Sequence, residues 1–382
     1  MKLLRSLSAN SRDSAVRHMK LHHGAGDRWL LITIILLVSI GIVMVYDSSV
    51  AIALRDFGDQ YHFVRDQVKW LILGFIAFGV FATVPYTLFK KFAVPILLGT
   101  LVLLLAVFIP GVGIRALGAH RWINFGFFVL QPAELAKLSV IIYLSAWFST
   151  KEKERLLAFV LFIGMVVGLV VIEPDLGTSI TILLTSLAMY FLSGAPIKHF
   201  VMLFPILGVA VAGLAIFEPY RLRRVLTFLN PDLDPLGASY QIRQALLALG
   251  SGGLFGVGLG KSRQKYEYLP EANTDSILAI LGEELGFAGT LAVVCLFLFL
   301  VWRCFKIARR VNDPFGKLFA MGVGSWIGIQ AFVNIGSMVA IVPLTGIPLP
   351  FISYGGSNLI ITLGALGIVY NISKKTYDTA RP

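Results

Sequence analysis

Asp275 closes a long polar stretch, residues 218–275, and stands directly before an apolar run that begins at Ser276. Seven cations share the stretch: Arg221, Arg223, Arg224, Arg243, Lys261, Arg263 and Lys265. A carboxylate can accept a proton from a hydroxyl, while guanidinium and ammonium groups bind phosphate oxygens. Plainer readings stand beside these. An aspartate at a helix start is commonly a cap, and basic loop residues suit an exposed face near anionic lipid. Glu134 and Lys137 lie three apart in QPAELAKLS, inside another apolar run, so one helix face carries both. A charge within a span costs about 2.5–3.5 kcal/mol on insertion scales. The pair therefore either braces a helix bundle or lines a polar cavity opening on the outer face. Asp175, in the turn EPDLGT, either caps the next helix or meets Lys137 or a loop arginine. Glu134, Asp175 and Asp275 could also converge on a divalent cation. Ser353 and Ser357, with Tyr354 and Asn358, add hydrogen-bonding groups at the outer mouth.

The elements that must hold these residues are membrane helices. Of 382 residues, 57% are hydrophobic and 14% charged, and the mean hydropathy is +0.81. Long apolar runs without period-two alternation exclude a barrel. At about 20 residues per span, ten helices fit: Trp29 to about Tyr46, then approximately 70–86, 92–110, 129–148, 156–172, 178–193, 199–217, 276–303, 315–341 and 357–373. The expected architecture is an all-α polytopic membrane protein. Residues 1–28 form a basic cytoplasmic tail, 29–373 the transmembrane domain and 374–382 a second cytoplasmic tail. Residues 218–275 form a large extracytoplasmic loop between the seventh and eighth helices. Pro343–Gly356, with three prolines and three glycines, is too broken for a helix and reads as a re-entrant segment before the tenth.

Charge orients this scheme. With both ends inside, the short cytoplasmic segments hold twenty Lys/Arg and the short outer ones five; the long loop is exempt from the rule. The net charge of +12 thus reads as topology, and nucleic acid is not an expected partner. Cys295 and Cys304 fall in one helix, without metal or disulfide spacing. Gly260-Lys261-Ser262 resembles the end of a phosphate loop, but Phe255 stands where that loop needs glycine. The pairs Gly282/Gly286 and Gly324/Gly328 suit close helix packing.

Three stretches together resemble the FtsW/RodA/SpoVE family of cell division, elongation and sporulation. They are RWINFG with QPAELAKL, then EPDLGTS, then GGLFGVGLGKSRQKYEYLPEANTDSILAILGEELG followed by NIGSMVAIVPLTGIPLPFISYGGSN. The likeness covers nearly all of the chain after the tail. KYEYLPEA is more similar to the division branch than to the elongation branch. Asn273-Thr274-Asp275-Ser276 stands where the family usually has His-Thr-Asp-Phe, and Ala133 where it usually has serine. The resemblance implies a peptidoglycan glycosyltransferase acting on lipid II at the outer face of the bacterial inner membrane, at the division septum. It also implies a class B penicillin-binding protein and other divisome membrane proteins as partners. In that reaction Asp275 becomes the expected general base, or otherwise the residue that orients the attacking hydroxyl, and the loop cations the expected pyrophosphate ligands. Two other readings stay open: a transporter that flips lipid II, and a non-catalytic scaffold that recruits a transpeptidase.

Overall fold

The computed structural model describes residues 26–116, 119–126, 128–150, 156–217, 222, 226–230, 237 and 239–378. The expected basic tail (to residue 25), the Lys151–Arg155 segment, Arg221, Arg223, Arg224 and the last four residues lie outside them.

Helices dominate the fold, and their ends follow local chemistry. Helix α1 (Arg28–Phe57) starts at Asp27, whose carboxylate accepts from the Leu30 amide, and stops at Gly58 in the left-handed region. Then come α2 (His62–Thr83), the short α3 (Tyr86–Lys91) and α4 (Ala93–Ala106). Helix α5 (Pro132–Phe148) carries its proline in the first turn, where a missing amide does least harm. Helix α6 (Leu156–Ile172) leads through Glu173-Pro174 into α7 (Leu176–Leu192), capped by Asp175. Next are α8 (Ile197–Phe217) and α9 (Tyr240–Ser251), then α10 (Ile277–Arg310), α11 (Pro314–Met338) and α12 (Gly356–Asp378).

Five of these, α1, α2, α10, α11 and α12, are long and apolar enough to cross a membrane. Shorter apolar helices (α4, α6, α7 and residues 197–206 of α8) accompany them. Helices α11 and α12 are the most enclosed of the five long ones, α11 packing against α10, α7 and α5 and α12 lying lengthwise on α2. The apolar side chains left exposed, such as Ile72, Ile76 and Val80 on α2, face where lipid would lie.

The chain is not wholly helical. Between α4 and α5, strands β1 (Gly113–Ala116), β2 (Ala119–Asn124) and β3 (Val129–Leu130) form an antiparallel sheet in the order β1-β2-β3. Ile114, Trp122, Ile123 and Val129 favour strands, and Gly113 and Gly126 interrupt any helix. The all-α expectation is corrected here: outside the apolar runs, this backbone satisfies its polar groups by pairing with itself. Pro343–Gly356 is non-helical until its final glycine, which opens α12, as its breakers required.

Candidate active site

The sheet, four helices and the proline-rich segment line an open cavity of about 510 Å³, within the range of small-molecule sites. Its wall includes Asp66 and Trp70 of α2, Arg121 and Trp122 of β2, Gln131 and Glu134 at the head of α5, Asp175 and Thr178 of α7, and Tyr354, Ser357 and Asn358 before and within α12. Thr274 and Gly346 complete it beside Asp275, whose Oδ2 lies 3.8 Å from where a β-carbon on Gly346 would stand.

Asp275 is buried to 8% exposure. It does not cap α10, whose N-cap is Ser276. Gln241 Nε2, on α9, sits 3.4 Å from both carboxylate oxygens and donates to Ser276 Oγ at 2.9 Å. The Thr274 hydroxyl donates to Oδ1 at 3.4 Å. Behind it, Asn334 Nδ2 of α11 donates to the Asp275 carbonyl and to the Ile347 carbonyl, each at 2.8 Å. Ser353 accepts from the Leu349 amide and donates to the Thr274 carbonyl, while the Tyr354 amide donates to the Asn273 carbonyl. The proline-rich segment is thus strapped to the three residues that end the long loop.

Glu134 and Lys137 pair at 2.8 Å on one face of α5, both about 3% exposed. The ammonium also donates to Gln330 Oε1 at 3.0 Å, and Asn358 Nδ2 donates to Glu134 Oε2 at 2.8 Å. The ammonium and both carboxylate oxygens of this pair each have a partner, which makes a buried charge tolerable. Asp175 caps α7 through the Thr178 amide at 3.0 Å and also accepts from Gln131 Nε2 at 2.7 Å. Among the described residues it is bonded to neither Lys137 nor a loop arginine, yet it lines the cavity. Ser357 accepts from the Gln131 amide and donates to the Val129 carbonyl, joining α12 to the sheet.

The loop cations divide. Arg243 lies half-buried on α9, two residues from Gln241. Lys261 and Arg263 are exposed and do not line the cavity. Lys265, expected among the phosphate ligands, is buried beneath the loop, bonded to Asp47 at 2.8 Å and Glu284 at 3.2 Å. A cation so enclosed holds chain together. Among the described residues the cation on the cavity wall is Arg121, braced by the carbonyls of Glu173 (3.1 Å) and Pro174 (2.5 Å). Arg121, Trp122, Gln131 and Gln241 were not singled out from the sequence; the RWINFG motif held the first two, but no spacing rule marks a strand residue as cavity-facing.

Two groups outside the spans titrate far from their usual range. Burial, with the Asp66 charge second, pushes the Tyr354 phenol up to about 12, so it remains a hydrogen-bond donor. Burial, then the Asp175 charge, pushes Glu173 up to about 8 against the pull of Arg121. Among the described residues no three His, Cys, Asp or Glu groups gather as a metal needs. Glu134 faces Lys137 and Asn358, and Asp175 faces Thr178 and Gln131, so the suggested convergence on a divalent cation is not formed.

The family model for the cell cycle proteins FtsW, RodA and SpoVE matches residues 27–378. This chain belongs to the FtsW/RodA/SpoVE family. It is 40% identical over 361 residues to a probable peptidoglycan glycosyltransferase FtsW from Geobacter sp. (strain M18), covering 93% of this chain and 98% of that one. It is 42% identical over 354 residues to stage V sporulation protein E of Bacillus subtilis (strain 168), covering 91% and 97%. Among solved structures, a peptidoglycan synthase complex described as coordinating polymerization and crosslinking matches with a TM-score of 0.77 at 28% identity, over 92% of this chain and 99% of that one. The rod shape determining protein RodA of Thermus thermophilus matches with a TM-score of 0.68 at 27% identity, over 94% and 99%. Family membership gives the conjunction of Asp275, Glu134–Lys137 and the proline-rich segment a common setting in one multi-pass membrane protein.

Proposed function

We propose that this protein is a peptidoglycan glycosyltransferase that polymerises lipid II, with Asp275 as general base. The observation that carries the reading is the buried Asp275 carboxylate, set against Gly346 and next to Thr274, two residues of the cavity wall, within a membrane helix bundle. Its carboxylate takes the proton of the acceptor sugar's 4-hydroxyl; the oxygen then bonds to the donor's anomeric carbon, and the bond from that carbon to the polyprenyl diphosphate breaks. A diphosphate departs with its charge and needs cations rather than a second acid, unlike the alkoxide of glycoside hydrolysis. Arg121 on the cavity wall and Arg243 beside Gln241 are the candidates for that task. Tyr354, protonated, and Asn358 offer hydrogen bonds to a bound sugar.

The chain would pass the membrane ten times, with both termini cytoplasmic and the cavity on the outer face, supported by the excess of Lys/Arg in the opposite segments. Similarity to FtsW proteins supports work at the division septum. Similarity to a synthase complex that polymerises and crosslinks supports a class B penicillin-binding protein as partner.

Purified protein supplied with labelled lipid II, with and without a cognate transpeptidase, tests the reading. Wild type should form glycan strands, and Asp275→Asn should form none while keeping the wild-type unfolding temperature. An active Asp275→Asn protein would remove the base, and transbilayer movement of lipid II without polymer would make the protein a transporter.

A further inference from the structure

Helices α1 and α10 carry a common ruler. Between Arg28 and Asp47, α1 has eighteen uncharged residues, 29–46; between Glu284 and Arg303, α10 has eighteen, 285–302. The two helices pack together, and ion pairs tie them at both ends of these runs. Arg303 pairs with Asp27 at one end, and Lys265 bridges Asp47 and Glu284 at the other. The eighteen residues of the unbroken α1 span about 27 Å, close to the roughly 30 Å hydrocarbon core. The ion pairs therefore mark the two edges of the apolar belt.

The glycine-rich segment that resembles no working phosphate loop sits inside the edge nearer Asp275. The Phe287 amide donates to the Gly253 carbonyl at 2.9 Å, and the Ala288 amide to the Leu254 carbonyl at 3.0 Å. In return Val257 and Gly258 donate to the carbonyls of Glu283 and Glu284. Gly253 and Leu254 are thus clasped to α10 at Phe287 and Ala288, three and four residues past Glu284 on the apolar side of the edge. The side chains here point away from protein: Leu254 is 67% exposed and Phe255 82%. Phe287 and Leu291 of α10 are exposed there too. Lys261 and Arg263 follow within ten residues, exposed, where the carboxylates of Glu284 and Glu283 hold the amides of Ser262 and Arg263 at the charged edge. An apolar tip below a cationic base is the pattern of an interfacial anchor.

We infer that residues 252–260 form a shallow anchor whose tip, Leu254-Phe255, lies in the acyl region of the leaflet on the cavity side, with Lys261 and Arg263 at the headgroups. The occupant of this apolar surface is lipid, because the belt that fixes its depth is the one the spanning helices share. The anchor also sets the height of the long loop, and with it of Asp275, relative to a lipid-borne substrate.

The test uses the full chain with Cys295→Ser, leaving the buried Cys304 in place, and a single added cysteine at Phe255→Cys or Tyr268→Cys carrying an environment-sensitive fluorophore. The protein is reconstituted into vesicles of phosphatidylethanolamine and phosphatidylglycerol. The probe at 255 should be quenched several-fold more by shallow nitroxide-labelled lipid than by aqueous iodide, and the probe at 268 should show the reverse. Iodide quenching at 255 equal to that at 268 would overturn the anchor. So would shielding from both quenchers, which would mean that protein covers the tip. Neither readout requires polymerisation, so failure here is separate from failure of the glycosyltransferase reading.

Discussion

Asn334 holds Asp275 by its backbone: the amide of one donates to the carbonyl of the other at 2.8 Å, and the same nitrogen serves Ile347 at 2.8 Å. One side chain at the heart of α11 thereby fixes the end of the long loop and the proline-rich segment against each other.

Asn334→Ala should therefore misplace the carboxylate without touching it. Leaving two buried carbonyls unpaired costs about 2–5 kcal/mol together. Lipid II polymerisation should fall at least tenfold, with a lower unfolding temperature. Asn334→Asp should be worse than alanine, since it sets an acceptor against two acceptors. Polymer yield and thermal unfolding in detergent, measured together, check this; wild-type yield from either variant would free Asp275 from the amide.

Lys265 separates a structural cation from a substrate ligand. Removing one member of a buried ion-pair cluster costs about 3–5 kcal/mol, so Lys265→Met should unfold at a markedly lower temperature. Adding Asp47→Asn, which removes one uncompensated carboxylate, should recover part of the loss. The affinity of the surviving folded protein for lipid II should stay near wild type. A binding defect with normal stability would instead return Lys265 to the substrate.

Glu173 makes a prediction about pH. It is fully buried, with no hydrogen bond to either carboxyl oxygen, and its pKa rises from 4.5 to about 8 in the folded protein. Because the folded state keeps the proton longer than the unfolded chain, Glu173 favours folding fully at low pH. That stability drains away as pH rises from about 4.5 through about 8. Unfolding temperatures of wild type should thus fall across this window more steeply than those of Glu173→Gln, whose neutral amide mimics the protonated acid. Parallel curves for the two proteins would place an ionised carboxylate at 173.

The sequence exposed the membrane class because hydropathy acts over whole runs, and it exposed Glu134–Lys137 and the Asp175 cap because both are local: three residues of one helix, or one turn. The strands between α4 and α5 were hidden by their length. Four or six residues beside apolar runs look like the frayed end of a span. The burial of Lys265 was hidden for a different reason. Its partners, Asp47 and Glu284, lie 218 and 19 residues away, and no pattern along the chain brings them together. Arg121 was counted only as a topology charge, since the carbonyls that brace it belong to the turn between α6 and α7.

Gly286 shows what spacing alone misassigns. Paired with Gly282 it reads as a packing motif, and Gly282 does pack against Leu249. Gly286 itself interrupts α10, with φ 68° and ψ −168°, a conformation open essentially to glycine. The break lets the amides of Phe287 and Ala288 turn to Gly253 and Leu254. A β-carbon at 286 would meet the Gly256 nitrogen at 2.3 Å, backbone that cannot rotate aside. Gly286→Ala should consequently lose both the helix break and the clasp, and membrane yield of folded protein should drop sharply. Gly328→Ala tests the contrast on α11: its added carbon meets Val301 methyls at 3.3 and 3.8 Å, which can give slightly, so the protein should fold with a modest loss. If Gly286→Ala accumulates and unfolds like wild type, the interruption of α10 is not what seats the loop.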